Sequence, residues 1–222
     1  MEILYRDKLP LGGFAGIKEH RLVIDQRIGG DVSTWDGIGN FVYLADARYN
    51  PYGESNMHSH SEIDIISVIL EGSVNHEGSL KHGQSLVTNQ VQVQRAGGEG
   101  FSHNEINPDG IKNRMLQIWV LPEEAGKDAS YKVYTLNKGQ MTHIYGGGQS
   151  QDETLPSNTN IEVGILSKDQ KIYKEGEFLA YITDGKAYLN DIVVENGMLI
   201  HGTGLDFKAI EDDVHLTIIS TK

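Results

Sequence analysis

The sequence predicts an all-β protein built as a sandwich or a barrel. Three observations favour this class: apolar runs of strand length, glycine-containing turns between them, and little helical periodicity. The chain has 26 glycines among 222 residues, where average composition would give roughly 16, and many of them fall between the apolar runs. Short strands separated by turn residues in this way are typical of β-sandwiches and barrels.

In the first half of the chain, two runs have the length and composition of buried strands. Residues 63–70 (IDIISVIL) end at Glu71-Gly72, and residues 114–121 (RMLQIWVL) end at Pro122. Between these runs, Pro108-Asp109-Gly110 combines a fixed φ with residues that tolerate a left-handed backbone, which predicts a turn.

The second half repeats the arrangement. Residues 178–190 (FLAYITDGKAYLN) hold two runs of alternating apolar and polar residues separated by Asp184-Gly185. Residues 191–200 (DIVVENGMLI) show the same pattern around Asn196-Gly197. Both dipeptides are strong signals for a β-hairpin. Residues 215–220 (HLTIIS) predict a last strand.

The segment between residues 122 and 160 is polar, rich in Gly, Ser and Asn, and poor in apolar residues. We interpret it as a connecting loop, with YKVYTL (131–136) leading into the second half. Gly146-Gly147-Gly148 is not a phosphate loop, because no Lys-Ser/Thr pair follows it. A boundary near residue 135 then gives an N-terminal domain over residues 1–135 and a C-terminal domain over residues 136–222.

Composition and charge exclude several classes of function. With 19 Lys+Arg against 31 Asp+Glu, the net charge is −12 and the isoelectric point is about 5.1; proteins that bind nucleic acid neutralise phosphates with cations, so we expect no direct DNA or RNA partner and no membrane partner. The absence of cysteine excludes disulfides, thiolate metal sites and a cysteine nucleophile. The chain start does not resemble a signal peptide, and we expect a cytoplasmic protein.

Two short motifs carry the predicted chemistry. The first is His58-Ser59-His60, and the second is His103-Asn104-Glu105. On a β-strand, side chains at i and i+2 lie on the same face, about 6.6 Å apart along the strand, so two imidazoles at this spacing can converge on one ion. A second strand carrying His-x-Glu would complete a set of three nitrogens and one carboxylate.

At these residues the sequence resembles the pirin family of two-domain cupin proteins. The resemblance rests on HSHSEIDIISVILEG (58–72), HEGSL (76–80), QVQRAGGEGFSHNEINP (92–108) and LQIWVLP (116–122). It implies two tandem jelly-roll-type cupin barrels with few short helices, a non-haem metal in the N-terminal domain, and a degenerate C-terminal domain without metal. Carried over by position, the implied ligands are His58, His60, His103 and Glu105. Ser59 stands where the family usually has proline, and Asp64 stands where cupins usually have glutamate.

The resemblance also implies two alternative functions. Several bacterial pirin-like proteins oxidise the flavonol quercetin with O₂, which suggests a quercetin 2,3-dioxygenase-like oxidoreductase with a small enolic or aromatic substrate and with Glu105 as ligand and proton acceptor. Pirins are also described as redox-sensing co-regulators, which suggests a non-catalytic module with a protein partner. One divalent ion per chain is expected; Fe(II) suits a mixed N/O site with vacancies, and Zn, Mn, Ni and Cu remain alternatives.

The remaining candidates have structural interpretations. His76 and His82 flank a charged turn and are expected on the surface, as is His20 within the charged run KEHR (18–21). Trp119 and Trp35 are expected in the core, and Gln117 at a barrel edge. A second set of histidines is scattered through the C-terminal half without a convergent pair and is expected to be structural: His143, His201 and His215.

Overall fold

The computed structural model describes residues 1–221, and nearly all of its regular structure is β-strand. Two single-turn 3₁₀ helices cover Arg6–Lys8 and Gln26–Ile28. The strands are, in chain order, β1 Glu2–Tyr5, β2 Gly12–Phe14, β3 Ile17–Ile24, β4 Phe41–Tyr49, β5 His58–His60, β6 Asp64–Glu71, β7 Ser73–Gly78, β8 Gln84–Val87, β9 Gln90–Arg95, β10 Phe101–Ile106, β11 Arg114–Val120, β12 Ser130–Thr135, β13 Gln140–Gly147, β14 Ser157–Leu166, β15 Lys171–Asp184, β16 Lys186–Leu189, β17 Ile192–Glu195, β18 Met198–Ala209 and β19 Val214–Thr221.

The predicted all-β class is confirmed, and the strongest sequence runs form strands where they were predicted. IDIISVIL becomes β6 and RMLQIWVL becomes β11. Gly185 and Gly197 lie in the left-handed region, with φ of 75° and 87°, as the turns between successive strands require. No helix among residues 1–221 has the length and apolar character needed to cross a membrane.

The chain divides into two compact units. One unit is Leu9–Thr135, and the other joins Met1–Lys8 to residues 136–221. The predicted assignment of residues 1–8 to the first domain is therefore wrong. The physical reason is that β1 pairs antiparallel with β18, with Ile3 opposite Ile200, and Ile3 packs against the apolar core of that unit.

The unit Leu9–Thr135 is a sandwich of two antiparallel sheets. Seven strands follow the order β12-β9-β6-β11-β4-β3-β2, and four strands follow the order β5-β10-β7-β8. A buried cluster holds the two sheets together, because Val74 and Leu86 of the small sheet pack with Tyr49, Ile69 and Met115 of the large one. Alternation along each strand sends these apolar side chains to the interior and their neighbours outward.

The unit that contains β13 to β19 is built on one eight-stranded sheet, in the order β13-β14-β19-β15-β18-β16-β17 with β1 added beside β18. Its core includes Phe178, Ile200 and Phe207. The register of β15 against β18 shifts between Lys174 and Glu177, and such a bulge bends a strand. The 14-residue β15 therefore pairs with β18 on both sides of the bulge.

The interpretation of residues 122–160 as a connecting loop is wrong in part. This stretch includes β12, which pairs with β9 of the first unit, and β13, which pairs with β14. Gly146 lies within β13 at φ 99°, and a Cβ there would stand 2.2 Å from the carbonyl oxygen of Thr159. Polar composition obscured these strands, because a strand is defined by the hydrogen bonds of its partner and not by apolar content alone.

We expect Ile3→Ala to lower the free energy of unfolding by about 1–2 kcal/mol, because it removes apolar contacts between β1 and the core that it completes. Chemical denaturation monitored by circular dichroism measures the change. Leu11→Ala is the matched control, since the Leu11 side chain is 58% exposed and its truncation should have little effect. Equal stability of the Ile3→Ala and Leu11→Ala proteins would contradict the assignment of β1 to this core.

Candidate metal centre

The metal-site prediction depends on how β5 pairs with β10. The two strands are antiparallel, with His103 opposite His58 and Phe101 opposite His60. His58, His60 and His103 therefore share one face of the small sheet, the face that looks into the sandwich. Ser59 and Ser102 occupy the opposite face, where their hydroxyl oxygens lie 2.7 Å apart.

The three imidazoles converge through their Nε2 atoms. Nε2 of His103 lies 3.1 Å from Nε2 of His58 and 3.2 Å from Nε2 of His60, and the candidate ligand atoms of all three residues lie within 4.8 Å of one another. Two nitrogens held 2.0–2.1 Å from one ion are separated by about 2.9 Å at a right angle and about 3.3 Å at the tetrahedral angle. These side chains therefore form a site that can hold a metal ion.

The backbone fixes the tautomer of His58. Nδ1 of His58 lies 2.8 Å from the carbonyl oxygen of Asn56, so Nδ1–H donates to that oxygen and the Nε2 lone pair is left for the metal. Asn56 has a left-handed φ of 63°, a conformation that asparagine tolerates better than most residues. The residue before the motif thereby helps to orient the first ligand.

Burial keeps two of the imidazoles neutral. It lowers the pKa of His60 to about 4, with smaller contributions in the same direction from His103 and His58. It also lowers the pKa of His103 to about 3, helped by His58 and His76. Because a metal binds the neutral imidazole, His60 and His103 stay available as ligands throughout the physiological pH range.

The structure does not bring Glu105 into the group of converging nitrogens. Its side chain is buried, and protein donors hold both oxygens: Tyr49 OH donates to Oε2 at 3.1 Å, while Ser67 Oγ and Gln92 Nε2 donate to Oε1 at 2.9 and 2.7 Å. Tyr131 OH donates to Oε1 of Gln92 at 3.2 Å, which fixes the orientation of that amide. Glu105 nevertheless lines the same cavity as the histidines.

A cavity of about 50 Å³ lies beside the histidines, smaller than the roughly 300–1,000 Å³ typical of small-molecule sites. Half of the residues that line it are apolar or aromatic, and half carry polar side chains. Besides the three histidines and Glu105, it is lined by Phe14, Ile17, Glu19, Tyr43, Ala47, Tyr49, Ser55, Met115, Gln117 and Trp119.

The structure corrects the interpretation of three residues that line this cavity. Trp119 is not simply a core residue, because it faces the cavity with its ring centroid 5.9 Å from that of His60. Gln117 also faces the cavity and not a barrel edge. Glu19 belongs to a run interpreted as solvated, yet it is only 3% exposed. Period-2 alternation in the sequence could have predicted that Glu19 is buried, because it places Glu19 on the same face of the strand as the apolar Ile17.

The expectation that His76 lies on the surface is wrong, whereas His82 is exposed as predicted. His76 is fully buried, because it stands opposite Glu105 in the pairing of β7 with β10 and so shares the inner face of the small sheet. Its ring centroid lies 5.3 Å from that of His103. Its Nε2 lies 2.9 Å from the carbonyl oxygen of Leu80.

Asp64 has a structural role. It is fully buried and forms an ion pair with Arg95, whose Nη2 lies 2.8 Å from its Oδ2. The two residues are opposite each other in the pairing of β6 with β9. Asp64 therefore uses its shorter side chain to join two strands and does not reach the histidines.

The chain is similar in sequence to known pirins and to proteins named quercetin 2,3-dioxygenase. A family profile described as Pirin matches residues 29–120. The chain is 29% identical over 170 residues to a pirin-like protein of Caulobacter vibrioides, covering 72% of this chain and 70% of that one. It is 26% identical over 121 residues to a quercetin 2,3-dioxygenase of Escherichia coli, covering 53% of this chain and 52% of that enzyme.

The fold comparison covers nearly the whole chain. The nickel(II) complex of the bacterial pirin YhhW from Escherichia coli superimposes with a TM-score of 0.84 and 16% identity, over 99% of this chain and 98% of that one. The chain therefore shares the fold of this bacterial pirin, and its unit Leu9–Thr135 carries the three-histidine candidate metal centre. In sequence, the chain is similar to pirins over residues 29–120, the part that the family profile matches.

We expect His76→Leu to weaken metal binding by about 10- to 100-fold, the usual cost of losing an outer partner of a ligand. When His103 binds metal through Nε2, its Nδ1 carries the proton, and His76 Nδ1 is an acceptor because its Nε2–H donates to Leu80. Both Nδ1 atoms are buried and have no hydrogen-bond partner among residues 1–221, and the two ring centroids lie 5.3 Å apart, so His76 packs directly against this ligand. Competition with a chromophoric chelator measures the affinity.

His82→Leu is the control for this experiment, because His82 is exposed and contacts the backbone of Gly78 rather than a ligand. His76→Gln should recover part of the affinity, since its amide can replace the lost acceptor. Unchanged metal affinity in a folded His76→Leu protein would show that His76 only fills space.

The free energy of unfolding of the metal-free protein should fall as the pH drops below about 6.5. In the folded state, His60 and His103 titrate near 4 and 3, whereas in the unfolded chain they take up protons near 6.5. The unfolded state therefore binds more protons in this window, and each histidine lowers stability by up to about 1.4 kcal/mol per pH unit as the pH falls.

Urea denaturation between pH 7.5 and 5.0 in the presence of a chelator measures this slope. The double variant His60→Asn/His103→Asn should show a shallower pH dependence than the wild type. The same slope in both proteins would assign the acid sensitivity to other groups.

Proposed function

We propose that this protein is a metal-dependent dioxygenase that uses O₂ to open the ring of an enolic, flavonol-type substrate such as quercetin. The observation that carries the proposal is the convergence of three imidazole nitrogens at the wall of a cavity that four aromatic side chains also line. A ligand set that faces a cavity is typical of a reactive metal site, whereas a structural metal site is closed on all sides. The quercetin 2,3-dioxygenase name of the Escherichia coli relative supports the same reaction class.

We propose one divalent ion per chain, Fe(II), held by His58, His60 and His103. Neutral nitrogen donors combined with a carboxylate and open positions suit Fe(II) and O₂ chemistry, although Zn, Mn, Ni and Cu bind the same donor types. When bound, the ion would supply a Lewis acid for the enolic oxygen and a site of electron exchange with O₂.

Glu105 is proposed as the fourth donor and as the acceptor of the substrate proton. A carboxylate offers about four acceptor positions. Oε1 already accepts from Ser67 and Gln92, whereas Oε2 accepts only from Tyr49, so one position remains on Oε2. Because that position serves either the ion or a proton at any one time, ligation and proton transfer would be successive roles of the same atom.

The neighbours of Glu105 are hydrogen-bond donors to its carboxyl group. Burial, and then the charge of Glu105, raise the pKa of Tyr49 well above its ordinary value, so the phenol stays protonated and donates. Together with Ser67 and Gln92, Tyr49 fixes the position of the Glu105 carboxyl group in the cavity wall.

The partners in this proposal are a small aromatic or enolic substrate and O₂. A cytoplasmic location is proposed with it, on the cysteine-free composition. Regulation through a protein partner, the second function implied by the family resemblance, becomes an outcome of the test below.

We expect Glu105→Gln to retain part of the metal and to lose roughly 10²- to 10⁴-fold of the oxygen uptake with quercetin, the usual contribution of a general base. Oxygen consumption by the metal-loaded protein is the readout, with metal content measured on the same samples. Glu77→Gln is the matched control: Glu77 lies on the neighbouring strand β7 but is exposed, so the same charge is lost outside the cavity.

Three results would contradict parts of the proposal. Full metal occupancy in both His58→Ala and His60→Ala would overturn the ligand assignment. Equal uptake by wild type and Glu105→Gln would remove the role of the carboxylate. Negligible uptake by the wild type with every enolic substrate, together with partner binding that depends on the oxidation state of the metal, would favour the regulatory function.

A further inference from the structure

We propose that Glu19 is a second anchor of the substrate cavity, an acceptor that selects aromatic substrates carrying a hydroxyl group at the end remote from the metal. The inference rests on the proposed function, because it names the substrate class of the same cavity. It concerns a part of the wall outside the motifs that carry the family resemblance.

Glu19 is a buried carboxylate in the cavity wall. It lies on β3, opposite Ala47 of β4, and both residues line the cavity. The Glu19 side chain is only 4% exposed. Burying a carboxylate is costly unless its oxygens have partners, so its contacts show which acceptor positions are already used.

Two protein donors hold this carboxylate and leave part of it free. Nε of Arg21 donates to Oε1 at 2.6 Å, and Tyr43 OH donates to Oε2 at 3.2 Å. Two of about four acceptor positions therefore remain. Burial, and then the charge of Glu19, raise the pKa of Tyr43, which keeps this phenol protonated as a donor.

The charge around Glu19 favours a neutral donor on the substrate. The guanidinium of Arg21, which is 44% exposed, offsets the charge of the carboxylate. An incoming ammonium group would therefore gain little from charge pairing. An incoming carboxylate would meet two buried anions, Glu19 and Glu105, in one cavity. A phenolic or alcoholic hydroxyl meets neither penalty.

An aromatic path connects Glu19 to the metal ligands. Tyr43, whose hydroxyl binds Glu19, stacks on Trp119 with ring centroids 4.5 Å apart and planes 26° apart. Trp119 in turn lies edge-on to His60 at 5.9 Å. Because these two rings occupy each other's facing surfaces, a flat substrate would pack against the edges and faces that remain and extend from the histidines toward Glu19. Edge-to-face aromatic contacts of this kind stabilise planar rings.

This arrangement predicts discrimination by the hydroxyl groups at the remote end of the substrate. A substrate that lacks the remote hydroxyl would leave a desolvated acceptor of Glu19 without a donor, which costs more than the loss of a solvated hydrogen bond. The choice among flavonols would then be made at Glu19, whereas the enolic oxygen is recognised at the metal.

The test compares quercetin with an analogue that lacks only the hydroxyl groups of its pendant ring. Both are titrated into the metal-loaded full-length protein, with the dissociation constant measured from quenching of tryptophan fluorescence and with oxygen uptake measured separately. We expect the wild type to bind quercetin at least about ten-fold more tightly than the analogue. In Glu19→Gln and Glu19→Leu this preference should fall to about three-fold or less, while the exposed control Glu77→Gln should retain it.

The outcomes separate this inference from the proposed function. Oxygen uptake with both flavonols and equal affinities in the wild type would overturn the role of Glu19 alone. A Glu19-dependent preference in binding without any uptake would support the anchor and overturn the dioxygenase. Binding of neither flavonol would overturn both. Thermal unfolding and metal content of each variant establish that it is folded, and the wild-type comparison decides the matter if Glu19 variants do not fold.

Discussion

The metal centre depends on one constraint, the pairing of the three-residue strand β5 with β10. Side chains alternate between the two faces of a strand, so a shift of one residue would exchange the whole inner set for the outer set. In the observed register, His58 and His103 are a cross-strand pair and His60 follows on the same face. A shift would bring Ser59 to that face in place of both ligands of β5.

The register is held by features on both sides of the histidines. On one side, Gly100 turns the chain into β10 at a φ of 72°. On the other side, Gly78 of β7 stands opposite His103, where an added Cβ would lie 2.9 Å from the Cα of His103. Glycine at this position permits the close approach of β7, and that approach brings His76 into the buried layer behind the ligands.

Electrostatic compensation explains how so many polar groups share a buried cavity. The imidazoles of His60 and His103 avoid the cost of burial by staying neutral. Glu105 accepts hydrogen bonds from three neutral donors, and Glu19 accepts hydrogen bonds from Arg21 and Tyr43. A bound cation would accept the Nε2 lone pairs of the neutral imidazoles.

The two carboxylates therefore divide the cavity into two environments. One lies beside the candidate metal site and the other beside a half-exposed arginine, with the Tyr43–Trp119 pair between them. Each carboxylate is fixed by donors from the sheet itself, so neither needs to move when a ligand arrives. Fixed acceptors in a dry site are the arrangement that makes polar selection strong.

The all-β class, the strongest strands and the shared face of His58 and His60 could be predicted from the sequence, because these follow from local periodicity. The i, i+2 spacing on a strand places both side chains of His-x-His on one face, whereas His103 was added by the family resemblance. Apolar runs such as residues 63–70 and 114–121 likewise need no distant partner to be recognised as buried strands.

Tertiary structure decided everything that depends on the neighbour across the sheet or across the sandwich. His76 and Glu19 are buried only because of their neighbours in the folded chain, and Trp119 faces a cavity for the same reason. Strand β1 belongs to the unit that contains β18 because the two strands pair. The donors to Glu105 come from other strands. The physical reason is that burial and hydrogen bonding belong to pairs of distant residues. A period-2 pattern predicts which side chains share one face of a strand. Whether that face is buried or exposed to solvent depends on how the two sheets pack.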